Sequence, residues 1–357
     1  MHAPQVLRYA PTSLTGALRS TAAPFALRCL GGHINGAWLP AAASGATYAL
    51  RSPADAPAAA AAPAAPPPLA LLPDMGAAET TAAIAAAAGA FPAWAARPAP
   101  ERCAALRRIA DALRAQAAGV AVLLALESGK PLEEARGEVA YAADYFQLYA
   151  EEGARPQGEV LTPARADRAM LTSAAPVGPA ALLTPWNFPA AMPARKLAPA
   201  LAAGCTVVLR PAPETPLTAM ALVQLAAEAG GLPPGVVNLV VGTDHAATAG
   251  VLAASAAVRK LSFTGSTRVG RLLMAQCAPT LKRLSLELGG AAPFIVFEDA
   301  GAWGGRRGGS GAPPGPQLCR RPAPLLPARA HSLTRAHART PLHPLHTRRA
   351  RARRRRH

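Results

Sequence analysis

The run Ala180-Ala-Leu-Leu-Thr-Pro-Trp-Asn-Phe-Pro189 decides the fold class, because it joins a short apolar segment to a turn at which a helix begins. The segment 180–184 predicts a strand, and the apolar spacing of residues 193–203 predicts a helix. The alternation then continues, with predicted strands at 206–209, 236–241 and 260–263 and predicted helices at 217–229, 246–257 and 266–277. Continuous Val- and Leu-rich strands separated by helices predict an α/β fold, with a parallel sheet flanked by helices.

Upstream of this alternation the sequence is mostly helical. Apolar residues at three- and four-residue spacing predict helices at 77–94, 101–128 and 132–152. His33-Ile-Asn-Gly-Ala-Trp-Leu39 predicts a short strand and turn. The Ala/Pro-rich segment 53–73 is expected to be a loop insertion rather than an element of the fold.

The N-terminal segment has its own composition. The first acidic residue is Asp55, and Arg8, Arg19 and Arg28 lie before it among hydroxyl-bearing and apolar residues. That composition is typical of an organellar transit peptide, here residues 1–30, and it predicts the mitochondrial matrix, with plastid or cytoplasm as alternatives. A segment without function, or a wrongly assigned start, would give the same pattern.

Charge and cysteine content exclude several classes of protein. The net charge of +17 would suggest a nucleic-acid-binding protein. The residues from Ala302 onward contain fourteen Arg and no acidic residue, however, which leaves +3 for the rest, an ordinary value for a soluble enzyme. The five cysteines are scattered without a CxxC pair, which argues against a disulfide scaffold and a zinc site. No apolar run reaches the ~20 residues that span a bilayer.

Two polar residues follow predicted strands at the edge where parallel sheets bind ligands. The amide of Asn187 can donate to an oxyanion, an interaction worth ~3 kcal/mol of barrier, or it can cap the next helix. Arg210 suits ribose hydroxyls or a 2′-phosphate, although an arginine in this position is also common as a solvated surface charge.

Two further motifs carry chemistry. Phe263-Thr-Gly-Ser-Thr-Arg-Val-Gly270 follows a strand and opens a helix, which predicts an anion site suited to a pyrophosphate. Glu287 lies in Leu286-Glu-Leu-Gly-Gly290, where we expect a general base shielded by the leucines. The alternative is a glutamate that reaches solvent at a strand end.

These motifs resemble the aldehyde dehydrogenase superfamily over residues 34–299, and most of all its succinate-semialdehyde dehydrogenase branch. The runs that carry the resemblance are Trp186-Asn-Phe-Pro-Ala-Ala-Met192, Arg195-Lys196, Ala198-Pro-Ala-Leu-Ala-Ala-Gly-Cys-Thr206, Val258-Arg-Lys-Leu-Ser-Phe-Thr-Gly-Ser-Thr267 and Leu286-Glu-Leu-Gly-Gly-Ala-Ala-Pro-Phe-Ile-Val-Phe297. The resemblance implies oxidation of an aldehyde to its acid with NAD or NADP, with succinate semialdehyde as the best match.

The resemblance also implies roles for single residues. Asn187 would be the oxyanion donor, Glu287 the base, and Arg195 the partner of the substrate's distal carboxylate. The cofactor-binding positions would be Thr184, Pro185, Trp186, Arg210, Pro211, Ala212, Pro213, Gly265, Ser266, Thr267 and Leu288. Partners would be a small-molecule aldehyde, with no specific nucleic acid and no membrane. The resemblance implies a homo-oligomer for the intact family, an expectation that does not extend to this chain.

Two departures from the family concern the cofactor. Arg210 replaces the family's lysine, and Pro213 stands where NAD-selective members often carry glutamate. The absence of that negative charge lowers the repulsion of a 2′-phosphate, so we expect NADP to be tolerated, although Glu214 is adjacent.

The sequence after Gly290 departs most. Residues 31–290 are predicted to form the cofactor-binding domain, 291–300 the start of a truncated catalytic domain, and 301–357 a disordered Arg/Pro-rich tail. The family's nucleophile is a cysteine in a run resembling Asn-x-Gly-Gln-x-Cys, and the neighbours of Cys319 do not match it. A shift of reading frame within the codons for residues 306–321 would explain the change.

Three hypotheses therefore remain. The gene encodes a working dehydrogenase whose last third is lost from this sequence, or the chain is a catalytically dead dinucleotide-binding remnant. In the third, the arginine run 348–356 binds polyanions, but no aromatic residue follows Trp303 to stack on bases.

Overall fold

A computed structural model describes residues 25–55, 67–155 and 158–293. The chain divides into two units between Ala292 and Pro293, and the first of them is described here. The predicted tail 301–357 and Cys319 lie outside the described residues, as do residues 1–24.

A seven-stranded sheet forms the centre of the described unit, in the order β11-β10-β7-β8-β9-β1-β2. The five strands from β11 to β9 are parallel, and β1 and β2 extend the sheet antiparallel. The strands of this sheet are β1 Gly32–Ile34, β2 Ala37–Leu39, β7 Ala180–Leu183, β8 Val207–Arg210, β9 Val237–Leu239, β10 Lys260–Thr264 and β11 Arg283–Glu287. Two hairpins stand apart, formed by β3 Thr47–Leu50 with β4 Ala70–Pro73 and by β5 Gly158–Leu161 with β6 Met170–Ser173. The predicted α/β class is confirmed.

Helices cover both faces of this sheet. They are α1 Ala77–Ala95, α2 Ala99–Ala115, α3 Ala117–Ser128, α4 Leu132–Glu152, α5 Ala191–Ala202, α6 Pro216–Glu228, α7 Val251–Ala254 and α8 Thr267–Cys277. Right-handed crossovers put α5 and α6 on one face, where they contact α2 and α3. The strand order reverses after β9, so the same handedness puts α7 and α8 on the other face, and α1 packs with α7.

The predicted helix 101–128 is two helices. Gln116, with φ −101° and ψ 10°, leaves helical geometry, and the axes of α2 and α3 differ by 74°. The bend lets the apolar α3 pack against α4 and α6. Among the described residues no single helix is both long and apolar enough to cross a bilayer. The bent pair α2–α3 has the required length and apolarity only when the two helices are taken together.

The predicted loop insertion 53–73 is shorter than expected. Ala70–Pro73 is the strand β4, which pairs antiparallel with β3. Its residues Ala70 and Leu72 are buried in the core, which explains why an Ala/Pro-rich segment ends in a strand. Residues 56–66 lie outside the described part of the chain.

The end of the predicted transit peptide also belongs to the folded body. Leu27 is 3% exposed, and the backbone N–H of Phe25 donates to the carbonyl of Gly119 at 3.1 Å. The N–H of Arg28 donates to Gln224 Oε1 at 2.9 Å, and its guanidinium pairs with Glu228. Residues 25–30 therefore pack on α3 and α6, and the transit-peptide boundary at residue 30 stays a prediction.

Candidate active site

The carboxyl ends of four neighbouring strands bring the predicted residues to one edge of the sheet. Leu183 of β7 is in register with Arg210 of β8 on one side and with Phe263 of β10 on the other. Thr264 is in register with Glu287 of β11. Because neighbouring strands lie about 4.8 Å apart, the four strand ends span about 14 Å of this edge.

The turn after β7 presents three exposed side chains, those of Trp186, Asn187 and Phe188. Its first residue is held in place, since the N–H of Thr184 donates to the carbonyl of Arg210 at 3.2 Å. The side chain of Asn187 has no hydrogen-bond partner among the described residues, and α5 has no side-chain N-cap. The capping role weighed for Asn187 is therefore not the one it has, and its amide is available to a ligand.

The turn after β10 presents the first turn of α8. Ser266 is the N-cap, and its Oγ accepts from the N–H of Val269 at 3.4 Å. The N–H groups of Thr267 and Arg268 lie in the first turn of the helix, where no carbonyl of α8 can accept from them. They are therefore free to donate to an anion. Leu288 packs against this turn, since a Cβ at Gly270 would lie 2.6 Å from Leu288 Cδ2. The anion site predicted at 265–267 falls on this first turn and stays a prediction.

Glu287 ends the edge strand β11 and is exposed. The shielding expected from its neighbours Leu286 and Leu288 is not found. Side chains alternate across a strand, so residues adjacent to Glu287 point to the opposite face. Glu287 instead lines a groove of about 470 Å³ with Arg195 and Lys196 of α5.

This groove is strongly cationic. Lys260 and Arg283, at the starts of β10 and β11, also line it, so four cations and one carboxylate, that of Glu287, line the groove. Lys196 is buried and its Nζ donates to Ser262 Oγ at 2.7 Å. Burial, with Arg195 adding to it and Glu287 opposing it, lowers the pKa of Lys196 to about 8. A negatively charged ligand would fit this charge distribution.

Arg210 lies at the end of β8 but is only 5% exposed. Its Nη2 donates to the carbonyl of Gly242 at 2.9 Å, and its Nε has no partner among the described residues. Burial lowers the pKa of Arg210, with Tyr48 and Glu214 opposing the shift. The solvated surface charge weighed for this residue is excluded. Of the three residues that follow, Pro211 and Ala212 are buried and Pro213 is half-buried.

The four described cysteines all lie away from the edge of the sheet that carries Asn187 and the end of β11. Cys103, Cys205 and Cys277 are buried and Cys29 is half-buried. Burial raises the pKa of the Cys29, Cys103 and Cys277 thiols. Cys205 lines the groove, but it precedes β8 and lies at the end of the sheet opposite to Glu287. Over the described ranges, no group of His, Cys, Asp and Glu is arranged to hold a metal ion.

Two residues that the sequence analysis missed contact the turn after β7. Lys130 and Glu138 form an ion pair, and both bind the main chain of residues 187–191. A signal was present in the sequence, because Glu138 interrupts the buried stripe that Ala135, Val139 and Ala142 form on α4.

Comparison with known proteins places the fold in a family. The family model described as "Aldehyde dehydrogenase family" matches residues 51–303. The NADP-dependent succinate-semialdehyde dehydrogenase of Escherichia coli is 48% identical over 75% of this chain and 53% of its own length. A Pseudomonas putida glutarate-semialdehyde dehydrogenase is 47% identical with the same coverage. A mitochondrial succinate-semialdehyde dehydrogenase of Arabidopsis thaliana is 51% identical over 63% of this chain and 42% of its own.

Solved structures agree with these matches. A succinate-semialdehyde dehydrogenase from Burkholderia pseudomallei superposes with a TM-score of 0.69 at 45% identity, covering 81% of this chain and 55% of that one. An NADP-dependent enzyme of E. coli gives the same TM-score at 47% identity, covering 76% and 53%. The chain thus spans about half the length of the curated relatives it matches.

Proposed function

The chain belongs to the aldehyde dehydrogenase family, and we propose that it takes part in the NAD(P)-dependent oxidation of an aldehyde that also carries an acidic group. Succinate semialdehyde is the substrate that we favour. The observation that carries the proposal is the alignment of Asn187, the first turn of α8 and Glu287 along one sheet edge, next to a cationic groove.

The residues at this edge fit a dinucleotide. The buried Arg210 Nε and Thr184 Oγ1 lack partners among the described residues, and both suit hydroxyl or phosphate groups. We propose that Gly265, Ser266 and Thr267 hold the pyrophosphate on the first turn of α8. A cofactor bound here would supply a nicotinamide that accepts a hydride.

The rest of the cofactor would lie along the turns beside α8. Thr184, Pro185, Trp186 and Leu288 would line the nicotinamide and its ribose. The segment that begins at Arg210 and continues through Pro211, Ala212 and Pro213 would line the adenosine ribose. Since Pro213 adds no negative charge there, we propose that both NAD and NADP bind.

The aldehyde would meet two of this chain's polar groups. The Asn187 amide would donate to the carbonyl oxygen as negative charge develops on it, and Glu287 would take a proton from the attacking group. Arg195, in the cationic groove, would pair with the distal acid of the substrate. The names of the relatives support an acidic aldehyde, since they include succinate semialdehyde and glutarate semialdehyde.

Covalent catalysis in this family needs a cysteine thiol, and none of the four described cysteines lies at this edge. This observation favours a second candidate function, dinucleotide binding without turnover.

For the location, we propose the mitochondrial matrix. The Arg-bearing, acid-free N-terminal segment supports this proposal, and one plant relative is named as mitochondrial. We also propose that residues 31–290 form the cofactor-binding domain.

The test measures binding and turnover separately on the full chain. NAD⁺ and NADP⁺ are titrated by calorimetry, and reduced nicotinamide is then followed with succinate semialdehyde. We expect binding of both cofactors, and loss of turnover in Glu287→Gln. Binding without turnover would favour the second candidate, and absence of binding would contradict both. Glu133→Gln, on the exposed face of α4, is the control variant.

A further inference from the structure

Lys130 and Glu138 form an ion pair beneath the turn that carries Asn187. Lys130 follows Gly129, whose φ of +70° ends α3 in a left-handed conformation. Glu138 lies on α4, with only 2% of its side chain exposed. The Nζ of Lys130 is 2.5 Å from Glu138 Oε2. The Lys130 side chain is 14% exposed, but the carboxylate of Glu138 is buried, and a buried charge is stable only when its remaining polar atoms are also paired.

Those remaining atoms all bind the turn. Glu138 Oε1 accepts from the N–H of Ala190 at 2.8 Å and from the N–H of Ala191 at 3.2 Å. The Nζ of Lys130 donates to the carbonyl of Asn187 at 3.1 Å and lies 4.1 Å from the ring centre of Phe188. The pair therefore holds the turn at both ends, by the carbonyl of residue 187 and by the first amides of α5.

Glu127 shows what a helix cap alone requires. This carboxylate is also buried, and it accepts from the N–H groups of Leu217 and Thr218 at 2.7 and 2.9 Å, at the start of α6. No cation pairs with it among the described residues. The cap contacts at α5 are likewise all made by Glu138, so capping does not account for the contacts that Lys130 makes to Asn187 and Phe188.

We propose that Lys130 and Glu138 are positioning residues that fix the main chain at Asn187, so that its exposed amide is held in one direction. Any consequence of this positioning for catalysis rests on the proposed function. The effect on the orientation of the turn is independent of that function and can be measured without turnover. A hydrogen-bond donor that is already oriented does not have to reorganise when charge develops on the substrate.

Hydrogen–deuterium exchange of the full chain tests the effect on the turn. The variants are Lys130→Met and Glu138→Gln, and the matched control is Glu127→Gln. We expect the amides of Ala190, Ala191 and Met192 to exchange about tenfold faster in the first two variants, because each loses a charge-assisted contact. In the control the amides of Ala190, Ala191 and Met192 should keep their wild-type exchange rates. Rates at 190–192 within about twofold of wild type in Lys130→Met would overturn the proposal.

A second readout separates positioning from general stability. Where the wild type turns over, Lys130→Met should lower kcat and kcat/KM by the same factor of about ten or more, with an unchanged Kd for the cofactor. Lys130→Arg keeps the charge and should recover most of the rate. Faster exchange with unchanged kcat would refute the catalytic role. A wild type without turnover would refute the proposed function alone, and exchange would still decide the positioning.

Discussion

Glu127→Gln is expected to change the pH dependence of unfolding, because the surroundings of this carboxyl group oppose its charge. Glu127 is fully buried between α3 and the start of α6. Burial raises its pKa from 4.5 to about 8. The hydrogen bonds from the hydroxyl and N–H of Thr218 and from the N–H of Leu217 act in the opposite direction.

The sign of the effect follows from the two pKa values. Between about pH 4.5 and about pH 8 the folded chain keeps the proton on Glu127 while the unfolded chain has lost it. The free energy of unfolding therefore falls as the pH rises through this window. Each pH unit is worth about 1.4 kcal/mol, so Glu127 contributes a fall on the order of 4 kcal/mol between about pH 5 and about pH 8.

Urea unfolding of the wild type and of Glu127→Gln, at several pH values across this window, measures the effect. Glutamine does not titrate, so the difference between the two free energies should shrink or change sign as the pH rises. Thr218→Val is a second variant. It removes a donor that favours the charged form, so it should move the upper end of the window to higher pH. A difference between wild type and Glu127→Gln that stays constant with pH would refute the reasoning.

Two other substitutions test the first turn of α8 and the cationic groove. Ser266→Ala removes the N-cap of α8 and should cost about 1 kcal/mol of stability; it should also weaken NAD⁺ binding in a calorimetric titration, which Ser255→Ala should leave unchanged. The pKa of Lys196 falls from 10.5 to about 8, so the unfolded state holds the extra proton between these values and wild-type stability should rise with pH by about 3 kcal/mol. Lys196→Met should lose this rise in urea unfolding, and a rise that persists would assign it to another group.

The strand–helix alternation was predictable because buried parallel strands and the helices that cover them have different periods. Continuous apolar runs such as Val207–Arg210 therefore stand out, and the motif resemblance to the aldehyde dehydrogenase family is confirmed by the family match. The break between α2 and α3 was not predictable, since the apolar spacing continues through Gln116. Only the packing of α3 against α4 and α6 shows why the chain turns there.

The errors at the site have two causes. Glu287 was expected to be shielded by its neighbours in sequence, but in a strand the adjacent side chains belong to the opposite face. Lys130 and Glu138 were missed because they meet the turn across more than fifty residues of sequence. Local motifs predicted which residues the sheet edge presents, whereas the contacts that hold them come from distant helices.

Two buried glutamates cap helices at this edge from neighbouring helices. Helices α5 and α6 follow strands whose turns face the candidate site, and neither helix has a side-chain cap from its own turn. Glu138 caps the first and Glu127 the second, from α4 and α3 beneath the turns. A local cap commits its side-chain oxygen to the helix amides, as Ser266 does at α8. Because Glu138 of α4 caps α5, the side-chain amide of Asn187 is not used as a cap and can bind a ligand. The orientation of the turns at the site therefore depends on α3 and α4, and we expect substitutions in these helices to change it even far from any ligand.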